Sequence, residues 1–67
     1  MQVFVNNKIT NVPQGQSLLS LLDQMGLKEQ QGIAIAVNET VIPKVEWHHT
    51  ELKENDNIIL IKATAGG

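Results

Sequence analysis

The last five residues of the sequence carry the one group whose chemistry stands out. The segment Ala63-Thr64-Ala65-Gly66-Gly67 has no large side chain that would hold it against a core, so we expect a flexible tail at residues 63–67. Fully extended, these five residues reach about 17 Å, far enough to enter the active site of another protein. Gly66 and Gly67 have no Cβ and therefore suit a narrow channel. The carboxylate of Gly67 is ionised at neutral pH and could attack the α-phosphorus of a nucleotide.

A Gly-Gly ending also arises by chance. Because glycine makes up about 7% of residues in proteins, a random chain ends in two glycines roughly once in 200. The hydrophobic pattern before the tail predicts a folded domain over residues 1–62, which makes coincidence a weaker explanation. The sequence therefore predicts a folded body that delivers a tethered carboxylate.

Size and composition limit what the body can do. With 67 residues, 42% of them hydrophobic and 18% charged, the chain has the composition of one small globular domain. A domain of this size buries only about 60% of its unfolded surface, which leaves little room for an enclosed substrate cleft beside a core. We therefore do not expect a self-contained enzyme.

Charge and cysteine content exclude further classes. Five lysines against seven acidic residues give a net charge of −2, so no basic patch for nucleic acid is expected. The absence of cysteine excludes a disulfide framework, a thiolate metal site and a cysteine nucleophile. The N-terminal residues show neither a secretory signal nor an apolar run that could cross a membrane, which predicts a cytoplasmic location without membrane contact.

The first half of the chain predicts a hairpin. Asn6 and Asn7 can adopt the positive φ angles of a tight turn between strands at 3–5 and about 8–12.

A helix is predicted over about 18–25. Leu18, Leu22 and Met25 repeat at helical spacing and are expected in the core. Ser17 is a favourable N-cap and Gly26 a favourable left-handed C-cap.

The second half predicts strands separated by turns. The expected elements are a strand at 33–37, a turn at 38–40, a short strand at 41–42, an irregular crossing at 44–52, a turn at 54–57 and a strand at 58–61. The last strand is apolar on both faces, as in the middle of a sheet, and a long crossover allows it to pair in parallel with the first strand. The fold class is α+β, with one main helix packed on one face of a mixed four- to five-stranded sheet.

Several other side chains have a functional and a structural interpretation. His48 and His49 suggest a metal pair, but neighbours on an extended chain point in opposite directions and no third ligand is suitably spaced, so we interpret them as exposed loop residues. Trp47 fits packing at the edge of the core better than docking. Lys62 is a minor candidate for contact with an acidic partner, and Lys44 is assigned no role.

The sheet face away from the helix is a candidate interface. Alternate members of the 58–61 strand, together with Phe4 or Val5, would leave apolar surface there for a partner to cover. Side chains of the 44–52 crossing could shield that face instead, and the sequence alone does not decide which residues point outward.

A series of short motifs extends along nearly the whole chain. They are Met1-Gln2-Val3, Ser17-Leu18-x-x-Leu21-Leu22, Met25-Gly26-Leu27, Ala34-Ile35-Ala36-Val37-Asn38, Val41-Ile42-Pro43, Trp47, Asp56-x-Ile58 and Gly66-Gly67. In the order and spacing of these motifs, the sequence resembles the ubiquitin-like β-grasp sulfur carriers, and among them the ThiS carriers of thiamine biosynthesis.

The resemblance implies a role for the tail. A partner adenylyltransferase, similar to the activating enzymes of ubiquitin-like proteins, would use ATP to activate the Gly67 carboxylate. A sulfur-transfer protein such as a cysteine desulfurase would supply sulfur for conversion to a thiocarboxylate, and thiazole synthase would receive it. Gly66, Ala65 and Thr64 would thread the partner's active site. The chain itself would bind no cofactor and no metal, and ATP would belong to the partner.

Other functions share some of these features. The small subunit of molybdopterin synthase has the same fold and tail but is usually longer, and the segment around Trp47 favours the thiamine carriers. A ubiquitin-like modifier would form an isopeptide through Gly67 on target lysines, and a purely structural binding domain would leave that carboxylate unchanged. The fate of the Gly67 carboxylate distinguishes these functions.

Overall fold

The computed structural model describes residues 1–29 and 31–63. Gln30 and the predicted tail residues Thr64, Ala65, Gly66 and Gly67 lie outside the described residues. The elements in chain order are β1 (Gln2–Val5), β2 (Lys8–Asn11), α1 (Leu18–Gln24), β3 (Ile33–Val37), β4 (Thr40–Val41), a 3₁₀ helix (Lys44–Glu46) and β5 (Asn57–Lys62). The strands and the α-helix match the predicted ones, and none of their bounds differs from the predicted bound by more than one residue.

The five strands form one mixed sheet in the order β2-β1-β5-β3-β4. The two hairpins, β1 with β2 and β3 with β4, are antiparallel, and β5 lies between them. It pairs in parallel with β1 and antiparallel with β3. The predicted β-grasp arrangement is therefore confirmed, including the central position of the last strand.

Asparagine residues make the tight turns that the sequence predicts. Asn6 and Asn7 have φ angles of 51° and 69° between β1 and β2. Asn55 has a φ of 67° in the turn before β5. In the turn between β3 and β4, Asn38 has a φ of 51° and Glu39 one of 72°. Asparagine adopts this left-handed region more readily than other residues with a Cβ, which explains its place in all three turns.

The helix begins as predicted and buries one face against the sheet. The Ser17 hydroxyl accepts a hydrogen bond from the Ser20 amide at 3.1 Å, which caps the N-terminus. The side chains that face the core are Leu18, Leu21 and Leu22. None of the helices in the described part of the chain is long and apolar enough to cross a membrane.

The predicted core position of Met25 is wrong, since its side chain is 41% exposed. α1 ends at Gln24, and Met25 is the C-cap residue, beyond the last helical turn that packs on the sheet. Gly26 follows with a φ of 76°, as predicted for a left-handed end. The Leu27 amide then donates to the Leu22 carbonyl at 2.8 Å, which completes the cap.

The crossing from β4 to β5 packs against the start of α1. The amides of Leu18 and Leu19 donate to the carbonyls of Thr50 (2.8 Å) and Trp47 (3.1 Å), which satisfies N–H groups that a helix leaves free at its first turn. The indole of Trp47 is buried, and its Nε1 donates to the Ile42 carbonyl at 2.9 Å. The prediction that Trp47 packs against the core is thus confirmed.

A buried carboxylate fixes the start of β5. Asp56 accepts hydrogen bonds from the Lys53 amide at 2.8 Å and from the Asn38 side chain at 2.9 Å. Asn38 in turn accepts from the Asn57 amide at 2.9 Å. This network joins the turn after β3 to the turn before β5, so it sets the point at which the last strand begins.

We predict that Asp56→Ala lowers the free energy of unfolding by about 1–3 kcal/mol, because it removes two hydrogen bonds that a buried carboxylate accepts. Urea denaturation measures the change. Asp23→Ala, a substitution of an exposed carboxylate on α1, is the matched control and should stay within about 0.5 kcal/mol of the wild type. Equal effects of the two substitutions would contradict the role assigned to the network.

Candidate functional site

β5 leads directly into the predicted tail and is held on both sides. Its pairing with β3 runs from Val37 opposite Ile58 to Ile33 opposite Lys62. On the other side β1 pairs only with the beginning of β5, where Val5 lies opposite Ile58. The second half of β5 therefore lies beyond the last residue of β1.

The side chain of Asn6 continues the pairing where β1 stops. Its Oδ1 accepts from the Leu60 amide at 2.8 Å, and its Nδ2 donates to the Leu60 carbonyl at 3.1 Å. The Asn6 backbone amide also donates to the Ile58 carbonyl at 2.9 Å. One side chain thus satisfies both backbone groups of Leu60, as a neighbouring strand would.

The pairing with β3 extends one residue beyond the two strands. The amide of Ala63 donates to the carbonyl of Gly32 at 2.7 Å. Ala63 is predicted to belong to the tail, but this bond ties it to the sheet, so the described body includes Ala63. The predicted sulfur-carrying residue Gly67 and the threading residues 64–66 follow this anchored point and lie outside the described residues.

One face of the sheet is apolar and uncovered by the helix. Val3, Val5 and Ile58 point to the helix and are buried, so residues of the opposite parity point away. The register places Ile9 beside Phe4 and aligns Ile59, Ala36 and Val41 across three strands. We define the open face by its apolar members Phe4, Ile9, Ala34, Ala36, Val41, Ile59 and Ile61.

The structure decides between the two interpretations of this face. Ile9, Val41 and Ile61 are 64%, 71% and 60% exposed, and the crossing packs at the helix. Shielding by the crossing is therefore wrong, and the expectation of exposed apolar surface is confirmed. Several large apolar side chains gathered on one face are typical of an interaction surface.

The remaining candidates contribute no site. His48 and His49 are exposed as predicted. The expectation that their side chains point in opposite directions is wrong, since their ring centroids lie 3.8 Å apart. The chain turns after the 3₁₀ helix and is not extended there, which brings the rings together. In residues 1–29 and 31–63, no group of three potential ligands could hold a metal ion. Lys62 is exposed opposite Ile33, and nothing in its surroundings adds a role.

Comparison with known proteins agrees with the fold. Residues 2–67 match the model of the ThiS family. The chain is 31% identical over 67 residues to the sulfur carrier protein ThiS of Escherichia coli (strain K12), with all of both chains covered. This chain belongs to the ThiS family.

Two solved structures of thiamine biosynthesis proteins have the same fold. The crystal structure of the thiamine biosynthesis protein ThiS from Geobacter metallireducens superposes with a TM-score of 0.84 at 20% identity and covers 100% of both chains. The solution structure of a thiamine biosynthesis protein from the same organism has a TM-score of 0.80 at 20% identity, covering 100% of this chain and 88% of the other. The β-grasp fold is therefore common to these chains despite their low identity.

Two residues at the root of the tail have contacts that the sequence alone does not indicate. Asn6 was recognised only as a turn former, and its bonds to Leu60 depend on a strand 54 positions away. Gly32 carried no signal beyond its type, because its contact with Ala63 exists only once β3 and β5 are paired.

We predict that Asn6→Ala destabilises the protein more than Asn7→Ala, by about 1 kcal/mol in the free energy of unfolding. Both residues have positive φ, so the backbone cost of alanine is similar, and only Asn6 has described side-chain bonds to β5. Hydrogen exchange should also show faster exchange of the Leu60 amide in Asn6→Ala alone. Identical stability and exchange in the two variants would rule out the pairing role.

Proposed function

We propose that this protein carries sulfur for formation of the thiazole ring of thiamine, with Gly67 as the residue that holds the sulfur. Membership of the ThiS family is the single observation that supports this most strongly, because the match includes the terminal Gly-Gly motif. The anchored last strand adds physical support, since it leads to the tail from a rigid body. The family match also favours this function over the molybdopterin synthase subunit and the protein modifier.

The first proposed step activates the carboxylate. A carboxylate oxygen of Gly67 attacks the α-phosphorus of ATP, the bond to the β-phosphate oxygen breaks, and pyrophosphate leaves. ATP and the catalytic groups belong to a partner adenylyltransferase. The protein is thus a co-substrate and not an enzyme, and it binds no cofactor of its own.

The second proposed step replaces oxygen with sulfur. A nucleophilic sulfur attacks the acyl carbon of Gly67, and AMP leaves with the bonding electrons. When the nucleophile is sulfide, the product is a thiocarboxylate directly. In the cell a sulfur-transfer protein such as a cysteine desulfurase supplies the sulfur as a persulfide, so the first product is an acyl disulfide. A thiol then cleaves the S–S bond, leaves as a mixed disulfide with the donor cysteine and releases the thiocarboxylate, whose sulfur thiazole synthase accepts. We place these reactions in the cytoplasm, where ATP is available.

The small residues before the carboxylate suit this delivery. Thr64, Ala65 and Gly66 add little bulk, so the segment can enter a partner's active site while the body stays outside. We further propose that the open face contacts the adenylyltransferase, because Ile61 on that face lies only two residues before the anchored Ala63. A partner that takes residues 64–67 must approach this end of β5.

Mass spectrometry after incubation with ATP, sulfide and the cognate adenylyltransferase tests the function. The expected product has one oxygen of Gly67 replaced by sulfur. Oxidation of either of the two methionines gives almost the same mass change, so the change must be localised. Trypsin cleaves after Lys62 and releases residues 63–67, which contain no methionine.

Deletion of Gly67 is the matched control. The variant should keep the wild-type melting temperature, because Gly67 lies beyond the strand that completes the sheet, but its new end should gain no sulfur. Attachment of the chain to lysines of other proteins would support the modifier function. An unchanged wild-type terminus, with the adenylyltransferase shown to be active on another carrier, would exclude sulfur transfer.

We predict that Ile61→Asp raises KM for adenylation about tenfold or more and leaves the melting temperature nearly unchanged, because Ile61 is exposed on the open face. Val45→Asp is the control, since Val45 is 73% exposed in the 3₁₀ helix and is not on the open face. Steady-state adenylation over a range of carrier concentrations measures KM and kcat for each variant. A matching rise in KM for Val45→Asp would show a general effect of charge and remove the support for docking through this face.

A further inference from the structure

The contact between Gly32 and Ala63 is the last described hydrogen bond before the predicted sulfur-carrying end. Gly32 lies immediately before β3 and has a φ of 75°, in the left-handed region that favours glycine. Its carbonyl accepts from the Ala63 amide at 2.7 Å. β5 has no partner from β1 at this level, so on the described residues Ala63 is held only from the Gly32 side.

The approach of the two backbones leaves little room for a side chain on Gly32. A Cβ added there would lie 3.2 Å from the Ala63 carbonyl oxygen and 3.5 Å from the Ala63 Cβ. The first distance is shorter than a carbon and a carbonyl oxygen normally allow, and the atom that must move is backbone. A substitution at position 32 therefore pushes directly on the residue from which the carboxylate-bearing end departs.

We propose that Gly32 is a positioning residue, because it holds Ala63, the residue to which the carboxylate-bearing residues 64–67 are joined. This inference rests on the proposed function and deepens it, because it assigns the positioning of the Gly67 carboxylate to a residue outside the tail. Four residues follow Ala63, and they span at most about 14 Å. The place at which Ala63 is held therefore limits where the Gly67 carboxylate can reach once the body has docked.

The proposal predicts that a substitution at position 32 lowers kcat for adenylation and leaves KM nearly unchanged. Gly32→Ala changes none of the apolar side chains that define the open face, so docking through them should persist and KM should stay within about twofold. The added Cβ requires a shift of a few tenths of an ångström at Ala63. A reacting group displaced by about 1 Å can lose about 100-fold in rate, so we expect kcat for adenylation to fall at least about threefold in Gly32→Ala.

Gly26→Ala is the matched control. Gly26 has a φ of 76°, nearly identical to that of Gly32, but a Cβ added there meets no described atom within 4 Å. Alanine therefore introduces the same backbone strain at both positions, and only at position 32 does it press on Ala63. Both variants should lose melting temperature through this strain, Gly32→Ala somewhat more, and kcat should fall only in Gly32→Ala.

Hydrogen exchange supplies a readout that does not depend on the partner. The Ala63 amide should be protected in the wild type and in Gly26→Ala and should exchange at least about tenfold faster in Gly32→Ala, with the Leu60 amide unchanged. An unprotected Ala63 amide in the wild type would overturn the proposal, and this measurement decides the matter should Gly32→Ala fail to fold.

The outcomes separate this inference from the function on which it rests. If the wild type gains no sulfur, the proposed function fails, whatever the exchange rate of Ala63. If the wild type is adenylated and Gly32→Ala matches Gly26→Ala in kcat, Gly32 has no positioning role and the function stands. A rise in KM without a fall in kcat would also overturn the proposal, since it would place Gly32 in docking.

Discussion

The pairing of β5 between β1 and β3 holds the two halves of this chain together. β1 and β2 form one hairpin, β3 and β4 form another, and only β5 is hydrogen-bonded to both. In a domain of 67 residues with a small core, loss of that strand would separate the sheet into two hairpins that are marginal alone. β5, which precedes the proposed sulfur-carrying end, is thus also the strand on which the fold depends.

This arrangement couples stability to delivery. Asp56 fixes where β5 begins, the Asn6 side chain holds its middle, and Gly32 binds the residue after its end. Asp56, Asn6 and Gly32 each bond to a residue at least 18 positions away in the sequence, so the body is rigid where the tail departs. In the proposed function the partner recognises the body and reacts with the terminus, and a fixed origin of the tail serves that purpose.

Local patterns predicted most elements because their physical causes are local. Asparagine tolerates positive φ, the Ser17 hydroxyl caps a helix three residues from its partner, and branched side chains favour strands. The errors arose where one feature was extrapolated along the chain. Met25 continued the helical period beyond the end of α1, and the histidine rings were oriented as if the chain were extended.

The sequence by itself determined the fold class, the order of the elements and the residue proposed to carry sulfur, because hydrophobic period, turn chemistry and a terminal motif can all be read from neighbouring residues. Only the tertiary structure decided which sheet face stays open and which residues hold the root of the tail. Parity depends on the register between strands, and the contacts of Asn6 with Leu60 and of Gly32 with Ala63 depend on the packing of distant segments. The register and these contacts are properties of the assembled sheet, and no local sequence pattern encodes them.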